Sequence, residues 1–195
     1  MCTVTIAPAA APVRLVATVL AVASLAFLLV GRADGAQRSA EAYLAPDGAC
    51  ASASDPSAAP AVQVRAVACL VNWARAQDRR SRLVSRSSLR VAAALKGERV
   101  ASCGQFSHTP CGAAVTSGVQ ASGYRYSLFG ENLYAGTWGQ VSARDVVLAW
   151  LESPPHRANL LNPKFRDLGA AAVRAPGLLG DSDAVVWTAT FGTRR

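Results

Sequence analysis

The sequence predicts an α+β domain with an antiparallel sheet, because patterns typical of helices come first and patterns typical of strands come last. Apolar residues recur at three- and four-residue spacing in 64–76, 87–100 and 142–152. Residues 168–173 and 184–191 are rich in small, β-branched and aromatic residues, with turn residues between them. A chain of 195 residues with 51% hydrophobic content can bury one core.

An apolar run, Leu15–Val30, lies near the N-terminus, between Arg14 and a stretch of small residues. Its roughly 16 residues suit the core of a secretion signal better than a membrane-spanning helix, which needs about 20. We therefore predict that residues 1–36 are a signal peptide, cleaved near Gly35 or Ala36, and that the mature protein is secreted. An uncleaved membrane anchor is the alternative interpretation.

Secretion into an oxidising compartment predicts disulfide bonds. Cys2 is removed with the signal, which leaves Cys50, Cys69, Cys103 and Cys111, and four cysteines allow three pairings. We favour Cys50 with Cys69 and Cys103 with Cys111, because the members of each pair are close in sequence. The second loop then encloses one of the chain's two histidines and holds it in place.

Residues 37–61 are small and polar and include three prolines, which predicts a linker or a loosely packed arm attached through Cys50. The domain proper is then 62–195. Its first helix has an apolar stripe made of Val64, Val67, Ala68, Val71 and Ala74. Its second helix is capped by Ser87 or Ser88. The inward positions of the second helix are Leu89, Ala92, Ala93 and Val100.

A cluster of arginines lies between these helices, at 79–82, with Arg86 and Arg90 close behind. Two interpretations stay open: a basic patch for an acidic envelope polymer or anionic lipid, or a solvated turn that keeps a secreted protein soluble. We do not expect nucleic acid as a partner. Export separates the protein from it, and no aromatic residues lie among the arginines to stack on bases.

The segment 121–136 carries the first acidic candidate for a functional site. Its glycines and tyrosines predict a turn, a short extended segment, a sharp break at Gly130 and a second extended segment. The break places Glu131 beside a glycine, where backbones can approach closely. A carboxylate in such a position is a better site candidate than one on a solvated face.

The third helix, from Ser142 to Glu152, begins at a predicted capping box formed by Ser142 and Asp145. Its apolar face consists of Val146, Val147, Trp150 and Leu151. The following Ser-Pro-Pro ends this helix and begins a short one, which places His156 in a first helical turn. Because a helix N-terminus disfavours a positive imidazolium, we expect His156 to stay neutral.

Three candidate site residues, His108, Glu131 and His156, come from separate segments and include both histidines of the chain. If these three side chains converge in one cleft, they can act as metal ligands, as an acid and a base, or as a buried polar network. Two histidines and a glutamate match a common catalytic zinc set, although no His-Glu-x-x-His helix is present. Nucleophilic catalysis has less support, because Ser107 and Ser153 lack a Gly-x-Ser-x-Gly turn and the cysteines are expected to be oxidised.

Several short motifs occur in order over roughly 62–192. They are Leu70-Val71-Asn72 with Arg75, Phe106-Ser107-His108, Gly123-Tyr124, Gly130-Glu131-Asn132, Trp150 with Ser153, His156 to Asn162, Gly169, and Trp187-Thr188 with Phe191. Together they resemble the bacterial branch of the CAP superfamily, named after cysteine-rich secretory proteins, antigen 5 and pathogenesis-related 1 proteins. The resemblance implies a secreted, three-layer α-β-α sandwich with a central antiparallel sheet.

The resemblance also implies a surface cleft lined by two histidines and acidic residues, where some family members bind a divalent metal. His108, Glu131 and His156 are the matching positions, and Glu152 is one position short of the family's further glutamate, which Ser153 replaces. The second helix of the family often carries a histidine where this chain has a lysine, Lys96, and an expected Gly-Leu-Pro-Pro turn is replaced by arginines. We expect neither departure to touch the cleft motifs.

The predicted function is non-enzymatic binding of a lipid, a protein or an envelope component by a secreted monomer. A divalent metal such as zinc is the one cofactor considered. The alternatives are metal-dependent hydrolysis of protein or cell-wall material in the same cleft, and a purely structural polar network. The resemblance supplies lipids, sterols and cell-surface proteins as ligand classes, and nothing in the sequence chooses among them.

Overall fold

The computed structural model describes residues 38–180 and 183–195, so the predicted signal peptide, 1–36, lies outside the described residues. The described α-helices are α1 (Pro60–Gln77), α2 (Ser87–Cys103), α3 (Ser117–Ala121), α4 (Ala143–Glu152) and α5 (Pro154–Leu160). The strands are β1 (Val84–Ser85), β2 (Tyr126–Thr137), β3 (Asp167–Arg174) and β4 (Ala184–Arg194). None of these helices is both long enough and apolar enough to cross a membrane.

The strands form one sheet in the order β1-β3-β4-β2. β3 and β4 are an antiparallel hairpin, and β2 pairs antiparallel with β4 along its length. β1 contributes only two residues, which pair parallel with Asp167 and Leu168 of β3. The predicted antiparallel sheet is therefore confirmed, with one short parallel strand at its edge.

Helices cover both faces of the sheet. One face of β4 packs into the main core with α1, α4 and α5, and its residues there are Val185, Trp187, Ala189 and Phe191. On the other face, Val186 contacts Val100 of α2, and the Thr190 hydroxyl donates to the Leu89 carbonyl at 2.8 Å. A Cβ at Gly169 would lie 2.1 Å from the Leu89 carbonyl carbon, so only glycine allows α2 to pack this closely. The three-layer α-β-α sandwich is confirmed.

The helix predictions are confirmed except in two details. All four inward residues predicted for α2 are buried, and α4 has both its apolar face and its Ser142–Asp145 capping box. On α1 the buried stripe is rotated, since Ala66 and Leu70 are fully enclosed while Val64 and Ala68 are half-buried at the margin of the core. The predicted serine cap of α2 is wrong: its N-cap is Arg86, and no side chain caps it.

The predicted break at Gly130 is also wrong. β2 runs through this position without interruption, and Gly130 pairs with Phe191 of β4. A Cβ at Gly130 would lie 2.7 Å from the Phe165 ring and 3.1 Å from the Asn159 side-chain oxygen. The glycine is therefore required for close packing against the strand and not for a bend in it.

The segment interpreted as a linker or arm, 37–61, contributes to the core from Arg38 onward. Its residues Ala40, Tyr43, Ala45, Cys50 and Ala53 are buried in the cluster that includes α1 and α4. Arg144 of α4 donates to the Ala45 carbonyl at 2.7 Å, which fastens the arm to the helix. The helical segment α1 begins inside this range, at Pro60.

Both predicted disulfides are present. Cys50 joins the arm to Cys69 of α1, and Cys103 at the end of α2 joins Cys111. The second bond closes the loop that carries His108. Within this loop the Cys111 amide also donates to the Gln105 side chain at 2.8 Å, so the loop backbone is held at more than one point.

Candidate functional site

Glu131 is the centre of the candidate site. It lies on β2, where its side chain is 2% exposed. One of its oxygens, Oε1, contacts two donors: His108 Nδ1 at 2.8 Å and Lys96 Nζ at 3.2 Å. A buried carboxylate needs such partners, because removal of an unpaired charge from water costs several kcal/mol.

Lys96 of α2 supplies the positive charge for this carboxylate. Its side chain is 1% exposed, and its ammonium also donates to the His108 carbonyl. The expectation that this departure from the family pattern stays clear of the cleft is therefore wrong. The helical spacing contained the signal: position 96 falls on the same inward stripe as Leu89 and Val100, so a lysine there has to be buried.

His108 joins the buried pair to the surface. Its side chain is 49% exposed. A carboxylate paired with the Lys96 ammonium can only accept hydrogen bonds, so His108 Nδ1 is the donor in its contact with Glu131. In the neutral imidazole this leaves Nε2 as an acceptor. The ring therefore has one nitrogen fixed by the protein and one available to a ligand.

His156 lies in the first turn of α5, as predicted. Burial lowers the pKa of His156 below its ordinary value of 6.5, and the electrostatic effect of His108 is a smaller cause in the same direction. The expected neutral form is thus supported, with burial as the main physical cause.

Two asparagines connect α5 to β2 beneath the histidines. Asn132 donates to the His156 carbonyl at 3.0 Å, and Asn159 donates to the Asn132 side-chain oxygen at 2.8 Å. Asn159 also donates to the Glu131 carbonyl at 3.2 Å. These bonds fix the backbones that carry Glu131 and His156 relative to each other. Both asparagines were part of the sequence motifs but were not selected as site residues.

Glu152 does not join this group. It is exposed at the C-terminal end of α4, and among the described residues it forms no hydrogen bond or ion pair with the cleft. Ser153, which follows it, is the N-cap of α5. Direct contacts thus join Lys96, His108 and Glu131. Among the described residues, His156 is connected to this group through its backbone carbonyl and Asn132.

The order of elements and the cleft together can be compared with known proteins. A family model described as "CAP: Cysteine-rich secretory protein family" matches residues 69–191. This chain belongs to the CAP family. The match extends from α1 to β4 and includes every cleft residue described above.

One curated relative of this CAP protein is "Uncharacterized protein YkwD" from Bacillus subtilis, strain 168. The two are 33% identical over 73 residues, which are 37% of this chain and 24% of the Bacillus protein. The matched part therefore spans about a quarter of that relative's length.

Three solved structures share the fold. The first is an extracellular protein containing an SCP domain from Bacillus anthracis, with 23% identity and a TM-score of 0.58 over 70% of this chain and 41% of that chain. The second is an outer surface protein from Borrelia burgdorferi, with 19% identity and a TM-score of 0.57 over 66% and 90%. The third is a cysteine-rich secretory protein from Staphylococcus aureus, with 18% identity and a TM-score of 0.55 over 70% and 40%. At these identities the likeness shows the fold alone.

The cleft of this CAP domain does not fit a three-ligand metal site. Within residues 38–180 and 183–195, no three His, Cys, Asp or Glu side chains are grouped closely enough to hold a metal ion. The Glu131 oxygen next to His108, Oε1, already contacts the Lys96 ammonium. A divalent cation would have to approach this oxygen against the repulsion of a buried positive charge, which low-dielectric surroundings strengthen.

Proposed function

We propose that this CAP domain is a secreted, non-enzymatic binding protein whose cleft holds an extracellular ligand without a metal ion. The observation that supports this proposal most directly is the double contact of Glu131 with Lys96 and His108. The lysine supplies the positive charge that a metal would otherwise bring to the carboxylate. The same carboxylate oxygen, Oε1, also accepts from His108 and so orients the imidazole ring.

The chemistry of the cleft suits a ligand with hydrogen-bond donors. His108 offers Nε2 at the surface, and the neutral, half-buried His156 lies in the same environment. A lipid head group, a protein segment and an envelope polymer all carry suitable hydroxyl or amide groups. The preformed bonds under the histidines lower the entropy cost of ordering the site when such a ligand binds.

One observation favours a hydrolase as the second candidate. A carboxylate that orients the Nδ1–H of a histidine is the arrangement that prepares a general base. No neighbouring hydroxyl is placed as the nucleophile, however, since the Ser107 hydroxyl is engaged by the Thr109 amide at 3.0 Å. Hydrolysis would therefore have to use a water molecule activated by His108. This differs from the metal-dependent hydrolase considered from the sequence, because no metal takes part.

The proposal retains the predicted organisation of the chain: a signal peptide at 1–36, an arm at 37–61 and the CAP domain at 62–195. Secretion is supported by the two disulfides, which persist in an oxidising compartment and are rare in the cytosol. We further propose that the mature protein is a monomer.

Co-sedimentation tests the binding proposal. Purified protein is mixed with insoluble peptidoglycan or with phosphatidylglycerol vesicles, and the bound fraction is measured for wild type, His108→Ala and Lys164→Met. Lys164 is exposed and lies outside the cleft, so it is the matched control. We expect His108→Ala to weaken binding to one of these materials by about tenfold, the loss of one good hydrogen-bonded contact, and the control to bind normally.

The same experiment separates the alternatives. Equal binding by wild type and His108→Ala to both materials contradicts a ligand site at these histidines. Release of soluble fragments from peptidoglycan that stops in His108→Ala and persists in a chelator supports the metal-free hydrolase instead. Fragment release that a chelator abolishes contradicts both metal-free binding and metal-free hydrolysis.

A further inference from the structure

A concave surface lies on the edge of the sheet, between the two helical layers. It is a groove of about 980 Å³ formed by α1, the first half of α2, β1 and the outer edge of β3. None of the cleft residues His108, Glu131 or His156 lines it. Its volume lies in the range of ligand sites, which is about 300–1,000 Å³. We refer to this surface as the edge groove.

The floor of the edge groove is an unpaired strand edge. β1 covers β3 only at Asp167 and Leu168, and the Leu168 carbonyl accepts from the Arg86 amide at 2.9 Å. Alternate residues of a strand direct their backbone groups to the same edge, so Ala170 and Ala172 direct theirs into the groove. No described residue forms a backbone hydrogen bond with them on this side.

The walls of the groove are small and apolar. Ala68 and Val64 line it from α1, and Ala94 and Val91 line it from α2. Val91 is 49% exposed and is one of the exposed large apolar side chains of the described residues. Short side chains on both walls leave room for another backbone to approach β3 closely.

The rim of the groove is positively charged. Arg65, Arg82 and Arg90 line it, all three are exposed, and no acidic residue is part of the lining. Within the described part of the chain, none of the three forms an ion pair. Five other arginines do form one, namely Arg80, Arg86, Arg144, Arg174 and Arg194. Two of the rim arginines, Arg82 and Arg90, belong to the basic cluster between α1 and α2.

We propose that the edge groove binds an extended, acidic peptide segment of a partner protein, which adds a strand to the free edge of β3. Unpaired backbone groups on an exposed strand edge are a template for such addition. The arginines select acidic side chains on the added strand, and the small apolar walls accept the side chains that alternate with them.

The same observations disfavour two other occupants. A second copy of this chain, paired edge to edge through β3, would bring Arg65, Arg82 and Arg90 of both copies together, and like charges in an interface cost several kcal/mol. A lipid chain would cover the backbone donors and acceptors of Ala170 and Ala172 without pairing them, which is costly for buried polar groups.

Fluorescence anisotropy with the full chain tests the proposal. The probe is a capped, labelled octapeptide of alternating glutamate and threonine, and a second probe replaces glutamate with lysine. Two further versions of the acidic probe carry N-methyl groups on alternate residues, one set on each edge of the extended peptide. N-methylation removes the strand hydrogen bonds of one edge only, so these versions are matched to each other.

We expect the acidic probe to bind, the lysine probe to bind at least about tenfold more weakly, and only one of the two N-methylated probes to lose binding. Arg65→Gln with Arg90→Gln should weaken binding about threefold to tenfold, as expected for rim charges, while Arg99→Gln, on the exposed part of α2 outside the groove, should leave it unchanged.

Three results would overturn the proposal. They are equal binding of the acidic and lysine probes, equal binding of the two N-methylated probes, and an acidic probe that binds without any effect of the Arg65 and Arg90 substitutions. Self-association that increases with protein concentration and is competed by none of the probes would assign the edge to a second copy instead. Because no cleft residue is changed in these variants, the outcome is independent of the function proposed for the cleft.

Discussion

The two lysines of the chain, Lys96 and Lys164, lie in opposite environments. Lys164 is exposed near the start of β3, whereas Lys96 is 1% exposed and contacts Glu131. The buried charge of Lys96 is tolerated because the Glu131 carboxylate lies beside it, and the carboxylate depends on the lysine in the same way. The chain therefore offers a direct comparison between a lysine that supports the cleft and one that does not.

Lys96→Met should destabilise the fold by about 3–5 kcal/mol, because it leaves the buried Glu131 carboxylate without its cation. Lys164→Met should change stability by less than about 0.5 kcal/mol. Urea unfolding followed by circular dichroism measures both. Adding Glu131→Gln to Lys96→Met should restore a large part of the loss, and a double variant that is less stable than Lys96→Met would contradict the buried pair.

His156 gives the cleft a pH dependence whose sign follows from its lowered pKa. The folded protein binds a proton on His156 less tightly than the unfolded chain, whose value is near 6.5. The resulting stabilisation is complete above pH 6.5 and is lost as the pH falls through the folded pKa. A titration of the histidine ring signals by NMR should find His156 below 6.5, and a midpoint at or above 6.5 would show that burial does not act as described.

The predicted proximity of His108 and Glu131 is observed, but the positive charge beside Glu131 was not predicted. His108, Glu131 and His156 were identifiable because each carries rare chemistry in a recognisable motif. The contact between Lys96 and Glu131 joins α2 to β2, and no local pattern shows which inward position of a helix meets which strand. The sequence shows that a lysine replaces the family's histidine at position 96. Only the folded structure shows that this lysine contacts Glu131.

Single elements are joined by buried polar side chains, and Arg75 on α1 is the clearest example. It is completely buried, and Nη1 donates to the Leu160 carbonyl at 2.7 Å and to the Asn162 carbonyl at 3.0 Å. Burial lowers the pKa of Arg75 to about 10, so it stays charged at neutral pH. It thus satisfies carbonyls at the end of α5, the helix that carries His156.

Arg75→Lys should destabilise the protein by about 1–3 kcal/mol, because an ammonium cannot reproduce the fork of donors and leaves buried carbonyls unpaired. Thermal unfolding measures the change. Arg65→Lys, on the same helix but exposed, is the control and should have little effect. Equal stability of the two variants would show that the carbonyls find other partners.

The Cys103–Cys111 bond should hold the loop of His108 as well as contribute to stability. From loop closure alone, replacement of both cysteines by serine should cost about 2.6 kcal/mol, and the same change at Cys50–Cys69 about 3.3 kcal/mol. Only the first change should also alter the NMR signals of His108, because only that loop carries it. Unchanged His108 signals in the Cys103→Ser, Cys111→Ser variant would mean that the contact with Glu131 is sufficient to position the ring.

Local features that depend on residues close in sequence were predicted correctly. Features that depend on contacts with distant segments were not. The capping box of α4 involves Ser142 and Asp145, three positions apart, so the sequence displays it directly. Gly130 was read as a bend because a glycine in a strand has two explanations, and the close approach of Phe165 that decides between them comes from a distant segment. The two-residue strand β1 has too little sequence to be recognised.

At the scale of the whole molecule, the CAP sandwich keeps its two candidate surfaces separate. The cleft lies where α2 and α5 meet β2, and the edge groove lies where α1 and α2 leave β3 unpaired. α2 takes part in both: Lys96 faces the cleft, and Val91 and Ala94 face the groove. The fold class and its layers were predicted correctly because several helices and strands all indicated the same architecture.

The central claim is that Lys96 makes the cleft independent of metal, and zinc content tests it most directly. The purified protein is equilibrated with excess zinc, dialysed, and analysed by inductively coupled plasma mass spectrometry beside His108→Ala with His156→Ala. The account predicts far less than one zinc per chain in the wild type and no difference between the two proteins. A content near one zinc per chain in the wild type, lost in the double variant, would contradict it.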